Sequence, residues 1–299
     1  MNLELRQLRH FVTVAEELHF GRAAERLHMT QPPLSQSIAG LEDLLGASLF
    51  LRNRRLVALT AAGAALLPEA RRLLGDAAAL PELVRRVAAG EAGRLTLAFV
   101  STADYSVLPS ILQRYRAAFP DVALVLREAT SDVQAEDLLR GRIDAGFVIP
   151  PLTGQADDLS NPALAYMKLL EEPLILCVPA GLLRGDGPVR LRELPPLPLV
   201  IFPRAAAPAL HDAILSCFRA AGITPVIGQE ALQMQTIVSL VSGGMGLALV
   251  PQSVSNLMRA GVEYRALLDP TPLAELGLAW RREHASPVLR GFLELLEKD

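Results

Sequence analysis

Disulfide chemistry is the first thing this 299-residue sequence lacks. It holds two cysteines, Cys177 and Cys217, too few for a disulfide framework. No charged-apolar-small leader opens it, so export is not expected and the cytoplasm is the default compartment. Nor is there an unbroken apolar run of membrane-spanning length. The longest uncharged stretch, Ala231 to Met258, is interrupted by Gln233, Gln235, Ser239, Ser242, Gly243, Gly244, Pro251 and Gln252, and reads as helix, turn, strand and second helix. An excess of positive charge is missing as well: 29 basic and 32 acidic side chains leave a net charge of −3, so any contact with nucleic acid must be local. Lysine is confined to Lys168 and Lys298, and the other basic residues are arginines, whose planar fork suits bidentate contacts. The histidines His10, His19, His28, His211 and His284 show no metal-ligand spacing with cysteine or carboxylate partners, so no metal and no cofactor is expected. Gly243-Gly244-Met245-Gly246 follows a helix and precedes a strand, the reverse order of a nucleotide loop, and no nucleophile elbow is present. An enzyme is not expected.

What is there is a folded chain. Hydrophobic residues make up 51% and charged residues 20%, enough for two or three compact domains. Leu5, Leu8, Phe11, Val12, Ala15 and Leu18 recur at three- and four-residue spacing, which predicts a first helix with one apolar stripe. A short helical run from Arg22 to Leu27 carries Ala23 and Ala24, small enough for close approach of another helix, and His28-Met29-Thr30 forms a turn. Thr30 is a good N-cap, and Pro32 and Pro33 fall in the one turn where a missing amide hydrogen does no harm. On the helix that follows, Leu34, Ile38, Leu41 and Leu45 share an arc, while Gln31, Pro32, Ser35 and Gln36 lie opposite. Such a polar face suits major-groove reading, though an ordinary helical hairpin with a solvated face fits the same spacing. Phe50 to Thr60 reads as a β-hairpin carrying Arg52, Arg54 and Arg55 and no acid, a wing able to grip phosphates or enter a minor groove.

The run from His10-Phe11 through Phe20-Gly21-Arg22-Ala23-Ala24-Glu25-Arg26-Leu27-His28-Met29-Thr30-Gln31-Pro32-Pro33-Leu34-Ser35, then Leu41-Glu42, Leu45-Gly46, Leu49-Phe50, Arg52, Arg55 and Leu59-Thr60-Ala61-Ala62-Gly63, resembles the winged helix-turn-helix of LysR-type transcriptional regulators. Leu51 and Leu56 stand where the wing of that family is usually polar. The resemblance implies that Gln31, Pro32, Ser35 and Gln36, with Thr30 at the helix start, face the groove of double-stranded promoter DNA. It implies that Arg22, Arg52, Arg54 and Arg55 meet its backbone or minor groove.

From Thr60 to Ala89 the residues Leu66, Ala70, Leu73, Ala77, Leu80, Val84 and Val87 alternate spacings of four and three, a seam expected where two helices pair. A single helix packed on its own body is the alternative, and Pro81 is expected to bend or end it. Beyond Gly90 to Gly93 strands alternate with helices. Arg94 to Val100, Val122 to Arg127 and Asp144 to Ile149 read as strands of one α/β lobe. Leu174 to Val178, Leu199 to Phe202, Pro225 to Gly228 and Gly246 to Val250 read as strands of a second. Tyr115-Arg116-Ala117-Ala118 recurs as Phe218-Arg219-Ala220-Ala221, and Glu128-Ala129 as Glu230-Ala231, at a nearly constant offset, as two equivalent lobes require. Ligands of open α/β sheets bind beyond the carboxyl ends of strands. There Ser101-Thr102, Thr130-Ser131 and Phe202-Pro203-Arg204 would bring hydroxyls, helix N-termini and one guanidinium to a small organic anion, with Phe147, Ile149, Tyr105 and Phe202 as apolar walls. Helix capping explains each hydroxyl singly, and a surface position explains Arg204.

Gly141-Arg142-Ile143-Asp144-Ala145-Gly146, Phe202-Pro203-Arg204 and Val241 to Pro251 are similar to the effector domain of the same family, whose fold is that of type 2 periplasmic binding proteins. By that resemblance Thr102, Ser131 and Pro203 match effector-contacting positions, with Ser101, Thr130, Phe202 and Arg204 as neighbours, and the effector is a small organic or aromatic acid. It further implies a homodimer through the connector and commonly a homotetramer, with RNA polymerase an open partner and no membrane. The expected organisation is therefore an α+β multidomain chain: a winged helix-turn-helix over 1–60, a linker helix over 61–90, and a two-lobed α/β effector domain over 91–299. Its lobe I would comprise 91–162 and 268–299 and its lobe II 163–267, with crossings near Asn161 to Leu164 and Leu267 to Pro272. A solute-binding protein or an enzyme on the same scaffold, and a repressor that needs no effector, are the rival readings.

Overall fold

A computed structural model describes residues 2–52, 57–150, 162–283 and 285–297. The chain divides after Arg85 into two compact units.

The first unit is helical. Helix α1 (Leu5–Glu17) buries Leu8, Phe11 and Val14 and stops where Leu18 turns left-handed at φ 46°. The His19 ring nitrogen Nδ1 accepts the Arg22 amide at 3.2 Å and starts α2 (Phe20–Arg26), whose Ala23 and Ala24 are buried. Thr30 precedes α3 (Gln31–Leu45) with extended backbone, as an N-cap should, yet its side chain makes no capping hydrogen bond. Leu34, Ile38 and Leu41 are fully buried, whereas Leu45 is exposed: it sits in the last turn before Gly46, beyond the reach of α1 and α2. Strands β1 (Phe50–Arg52) and β2 (Val57–Leu59) pair antiparallel. The hairpin is tied to α3 by the Glu42 carboxylate, which accepts the Leu49 and Phe50 amides at 2.7 and 3.2 Å. The Phe50 ring completes the core, 5.5 Å from Phe11 and 5.9 Å from Phe20.

Helix α4 (Ala61–Ala88) runs on through both Pro68 and Pro81, so of the expected bend or end at Pro81 the end does not occur. Each proline removes one hydrogen bond from a 28-residue helix, a cost of about 3 kcal/mol that the remaining turns absorb. The heptad-like seam divides: Ala70 is buried and Leu66 packs on the head core, while Leu73, Leu80, Val84 and Val87 stand exposed.

The second unit holds two lobes. In the first, β3 (Ala92–Phe99) runs parallel to β4 (Asp121–Glu128) and β5 (Ala145–Val148), and β11 (Leu273–Arg281) lies antiparallel to β5. Helices α5 (Ser101–Asp104), α6 (Leu108–Ala118), α7 (Ser131–Leu139) and α10 (Pro287–Leu296) accompany them, and Tyr115, Phe147 and Phe292 centre the core. In the second lobe, β7 (Leu199–Ile201) and β8 (Ile227–Glu230) are parallel, with α8 (Pro208–Ala220), α9 (Met234–Ser242), β9 (Ala248–Pro251) and β10 (Val262–Arg265). Strand β6 (Leu164–Pro179) belongs to both: Leu164 to Pro173 pair with β11, then Leu174 to Pro179 with β9 and β10. The first crossing is thus a continuous strand that changes partners at Pro173, not a break near Asn161 to Leu164, and Asn161 lies outside the described residues. At this junction the buried Glu172 carboxylate accepts the Ser253 amide at 2.6 Å and the Ser253 hydroxyl at 2.7 Å. The other crossing follows β10 and precedes β11, over the expected Leu267 to Pro272. Both cysteines are buried in the second lobe, and burial pushes the Cys177 thiol up to about 12.

Candidate functional sites: a polar helix face and a cavity at four strand ends

Helix α3 separates its residues cleanly. While its apolar arc is sealed against α1 and α2, Thr30, Gln31, Pro32 and Gln36 are exposed and Ser35 is half-buried, all within two turns of the helix start. A convex polar ridge of this length can enter a groove and meet base edges with amide and hydroxyl groups. The His10 ring, with Nδ1 2.8 Å from the Ser37 hydroxyl, links α1 to this helix, and burial lowers the affinity of the ring for a proton. Arg22 is exposed, and its guanidinium is aimed by Glu17, donating to the Glu17 carbonyl at 2.6 Å with the carboxylate 3.4 Å away. Arg52 ends β1, and its side chain is outside the described residues, as are Arg54 and Arg55. Leu51, on the same strand, is exposed.

The second site is a cavity of about 180 Å³ in the second unit, between its two lobes. Four strands deliver their carboxyl ends to it: β3 through Val100, Ser101 and Thr102, β4 through Glu128 to Ser131, β5 through Ile149, and β7 through Phe202. The far wall is Ala206, Ala207 and Leu210 with Leu232, Gln233 and Met234. Thr130, Ala207 and Gln233 are the N-cap residues of α7, α8 and α9, and none of the three supplies a side-chain capping bond. The first amides of α9 are taken, Met234 facing the Ser101 hydroxyl and Gln235 the Tyr105 hydroxyl, so α7 and α8 are the two helix starts that meet this small space without a side-chain cap, a geometry that favours negative charge. The α7 turn is held from beneath. Fully buried Gln134 donates from Nε2 to the Ala129 and Phe147 carbonyls at 2.8 and 3.1 Å, and the Ser131 hydroxyl accepts the Ile149 amide at 3.0 Å. Ser101 reaches the opposite lobe, its hydroxyl 3.5 Å from the Met234 amide.

Of the residues expected at this site, Ser101, Thr102, Thr130, Ser131 and Phe202 line the cavity, as does Ile149. Pro203 and Arg204 do not. The Arg204 guanidinium forms a two-pronged bond to Asp212, at 2.8 and 2.7 Å, because a carboxylate one turn into α8 is its nearest counter-charge. Phe147 is sealed in the first-lobe core against Phe292, and Tyr105 packs on the second-lobe core, its carbonyl accepting from Asn256 at 2.8 Å, so neither is a cavity wall. Glu128, Ala206, Ala207, Leu210, Leu232, Gln233 and Met234 were not foreseen. The helix expected at the start of the Ala231 to Met258 stretch was a usable signal, since it follows a strand just as Ser101 and Thr130 do. Among the described residues no group of histidine, cysteine and acidic side chains could hold a metal ion, and no helix is long and apolar enough to cross a membrane. His284 lies outside them.

Comparison with known proteins finds the same two-part layout. Residues 5–64 match the bacterial regulatory helix-turn-helix protein, lysR family, and residues 88–299 match the LysR substrate binding domain. The HTH-type transcriptional regulator IlvR of Caulobacter vibrioides is 51% identical over 298 residues, covering 99% of this chain and 98% of that protein. AlsR of Bacillus subtilis is 38% identical, covering 98% of this chain and 95% of that protein. Among solved structures, full-length CbnR complexed with its target DNA is 30% identical with a TM-score of 0.79, covering 99% of each chain.

Proposed function

Because the chain belongs to the LysR family of DNA-binding transcriptional regulators, we propose that residues 1–60 read promoter duplex, 61–90 pair two copies, and 91–299 sense a small organic acid. The observation that carries the sensing role is the convergence of two helix starts without a side-chain cap, α7 and α8, and the hydroxyl-capped start of α9 on one cavity with apolar walls. Such a site holds a carboxylate by main-chain amides and by the hydroxyls of Ser101, Thr102, Thr130 and Ser131. A cavity of about 180 Å³ exceeds only modestly the roughly 150 Å³ that houses a benzene molecule, so the effector is compact.

In this reading Gln31, Pro32, Ser35 and Gln36, with Thr30, address bases, and Arg22, Arg52, Arg54 and Arg55 address phosphates. The exposed Leu73, Leu80, Val84 and Val87 of α4 are the face that meets a second copy, giving a homodimer and, through pairs of dimers, a tetramer. Occupancy of the cavity selects one angle between lobes because a ligand shifts populations only through unequal affinity for two states. Thermal-shift and calorimetric titration with simple carboxylates, run beside gel shifts on promoter fragments, tests the scheme. A carboxylate that raises the melting temperature and alters DNA retention is the expected result. A chain that retains DNA but never answers to any small acid loses the sensing half of the proposal.

A further inference from the structure

The cavity has an unusual charge balance. Among the described residues Glu128 is the only acidic residue that lines it, and no arginine, lysine or histidine does. Glu128 closes β4, is exposed and makes no ion pair among the described residues, while Arg204, the cation expected at this site, is committed to Asp212 outside the lining. A plain anion entering this space gains from the helix starts but meets an unneutralised carboxylate. The two helix ends whose amides are not met by a side chain, α7 and α8, at about +0.5 charge each, set against one full negative charge, leave the wall close to neutral. A ligand that satisfies both poles is itself close to neutral and carries both signs.

We propose that the effector is a zwitterion, an α-amino acid with a short aliphatic side chain. Its carboxylate lies at the starts of α7 and α8, its ammonium on Glu128, and its side chain against Ile149, Phe202, Leu210 and Met234. Separate placement of the two charges matters, since an ammonium beside a carboxylate forms a charge-assisted bond while helix amides reject it. The inference rests on the cavity being the effector site, and adds to it the sign and number of the ligand's charges.

Isothermal titration of the full chain with valine, leucine and isoleucine, each paired with the acid that lacks only its amino group, tests it. At least one amino acid should bind tenfold or more tightly than its deaminated partner. Glu128→Gln should erase that preference, and Glu128→Lys should reverse it in favour of the acid, a gain that a misfolded variant could not produce. Acids that bind as well as or better than their amino acids overturn the inference and leave the cavity as an effector site. A preference that survives Glu128→Gln also overturns it, because the ammonium is then held elsewhere. Silence from all three amino acids while benzoate or a simple acid binds defeats the zwitterion alone, and silence from every compound defeats both readings.

Discussion

The two units recognise by opposite means. The head displays side chains on a convex helix, where in the proposed reading Gln31, Ser35 and Gln36 matter by chemical identity, and the backbone behind them is sealed by Leu34, Ile38 and Leu41. The sensor encloses a concave space in which main-chain amides at helix starts carry the polarity, and small residues such as Ala206 and Ala207 serve by leaving room. One surface can therefore be retuned by changing letters, the other chiefly by moving elements. A groove-reading face needs specific side chains; an anion cradle needs only a chain that turns in the right place.

The sharpest way to break that contrast is to remove the support of each side. Phe11 is fully buried and holds the Phe50 ring, so Phe11→Ala should cost about 3–5 kcal/mol, melt the head and abolish DNA retention. Calorimetry should still find the sensor transition in place; its joint loss would mean the units are not independent. Gly246→Ala acts on the other side. Gly246 has φ +147° and its Cβ would stand 2.1 Å from the Pro198 carbonyl oxygen, so strain of about 1–3 kcal/mol should fall on the second lobe. Denaturant melts should report it, with DNA retention by the head preserved.

Next in size are the reading residues themselves. Gln31→Ala and Ser35→Ala should relax base preference by about 1–3 kcal/mol per affected base pair without altering the melting temperature, as competition gel shifts against mutated operators would reveal. A uniform loss across all sequences would instead assign these residues to phosphates. The smallest effect belongs to Arg204. Its bonds to Asp212 hold that carboxyl down at about 2, below the ordinary carboxylate range. A carboxyl depressed in the folded state stabilises above the ordinary aspartate range, and this contribution fades only as pH falls toward 2. Both partners are substantially exposed, so water screens the pair. Arg204→Ala should leave effector titrations and the pH 7 melting temperature unchanged; a weakened effector response would return Arg204 to the cavity.

The same contrast explains which parts could be read from the letters. The head was legible because its apolar spacing, its Thr30-Gln31-Pro32-Pro33 start and its hairpin are all written in side chains. In the second unit the alternation of strands and helices was legible, as were six cavity residues that follow strand ends. Hidden was the first half of β6, where Lys168, Glu171, Glu172 and Pro173 mask the alternation of a strand paired only with β11. Short β10 was hidden too, since four residues carry little pattern. Arg204 misled because charge type alone suggested an anion clamp, whereas Asp212, eight residues on, captures it. An end of α4 at Pro81 did not follow because a local helix-breaking rule ignores the turns on either side.

Both native thiols are sequestered, and the Cys177 thiol is too weak an acid to form thiolate near neutrality. Maleimide reagents thus meet no competing native sulfur, and a single cysteine engineered at an exposed position becomes a clean attachment point for a fluorophore or spin label. Pairs of such labels across the cleft would turn lobe motion into a directly measured distance distribution on an otherwise unaltered chain.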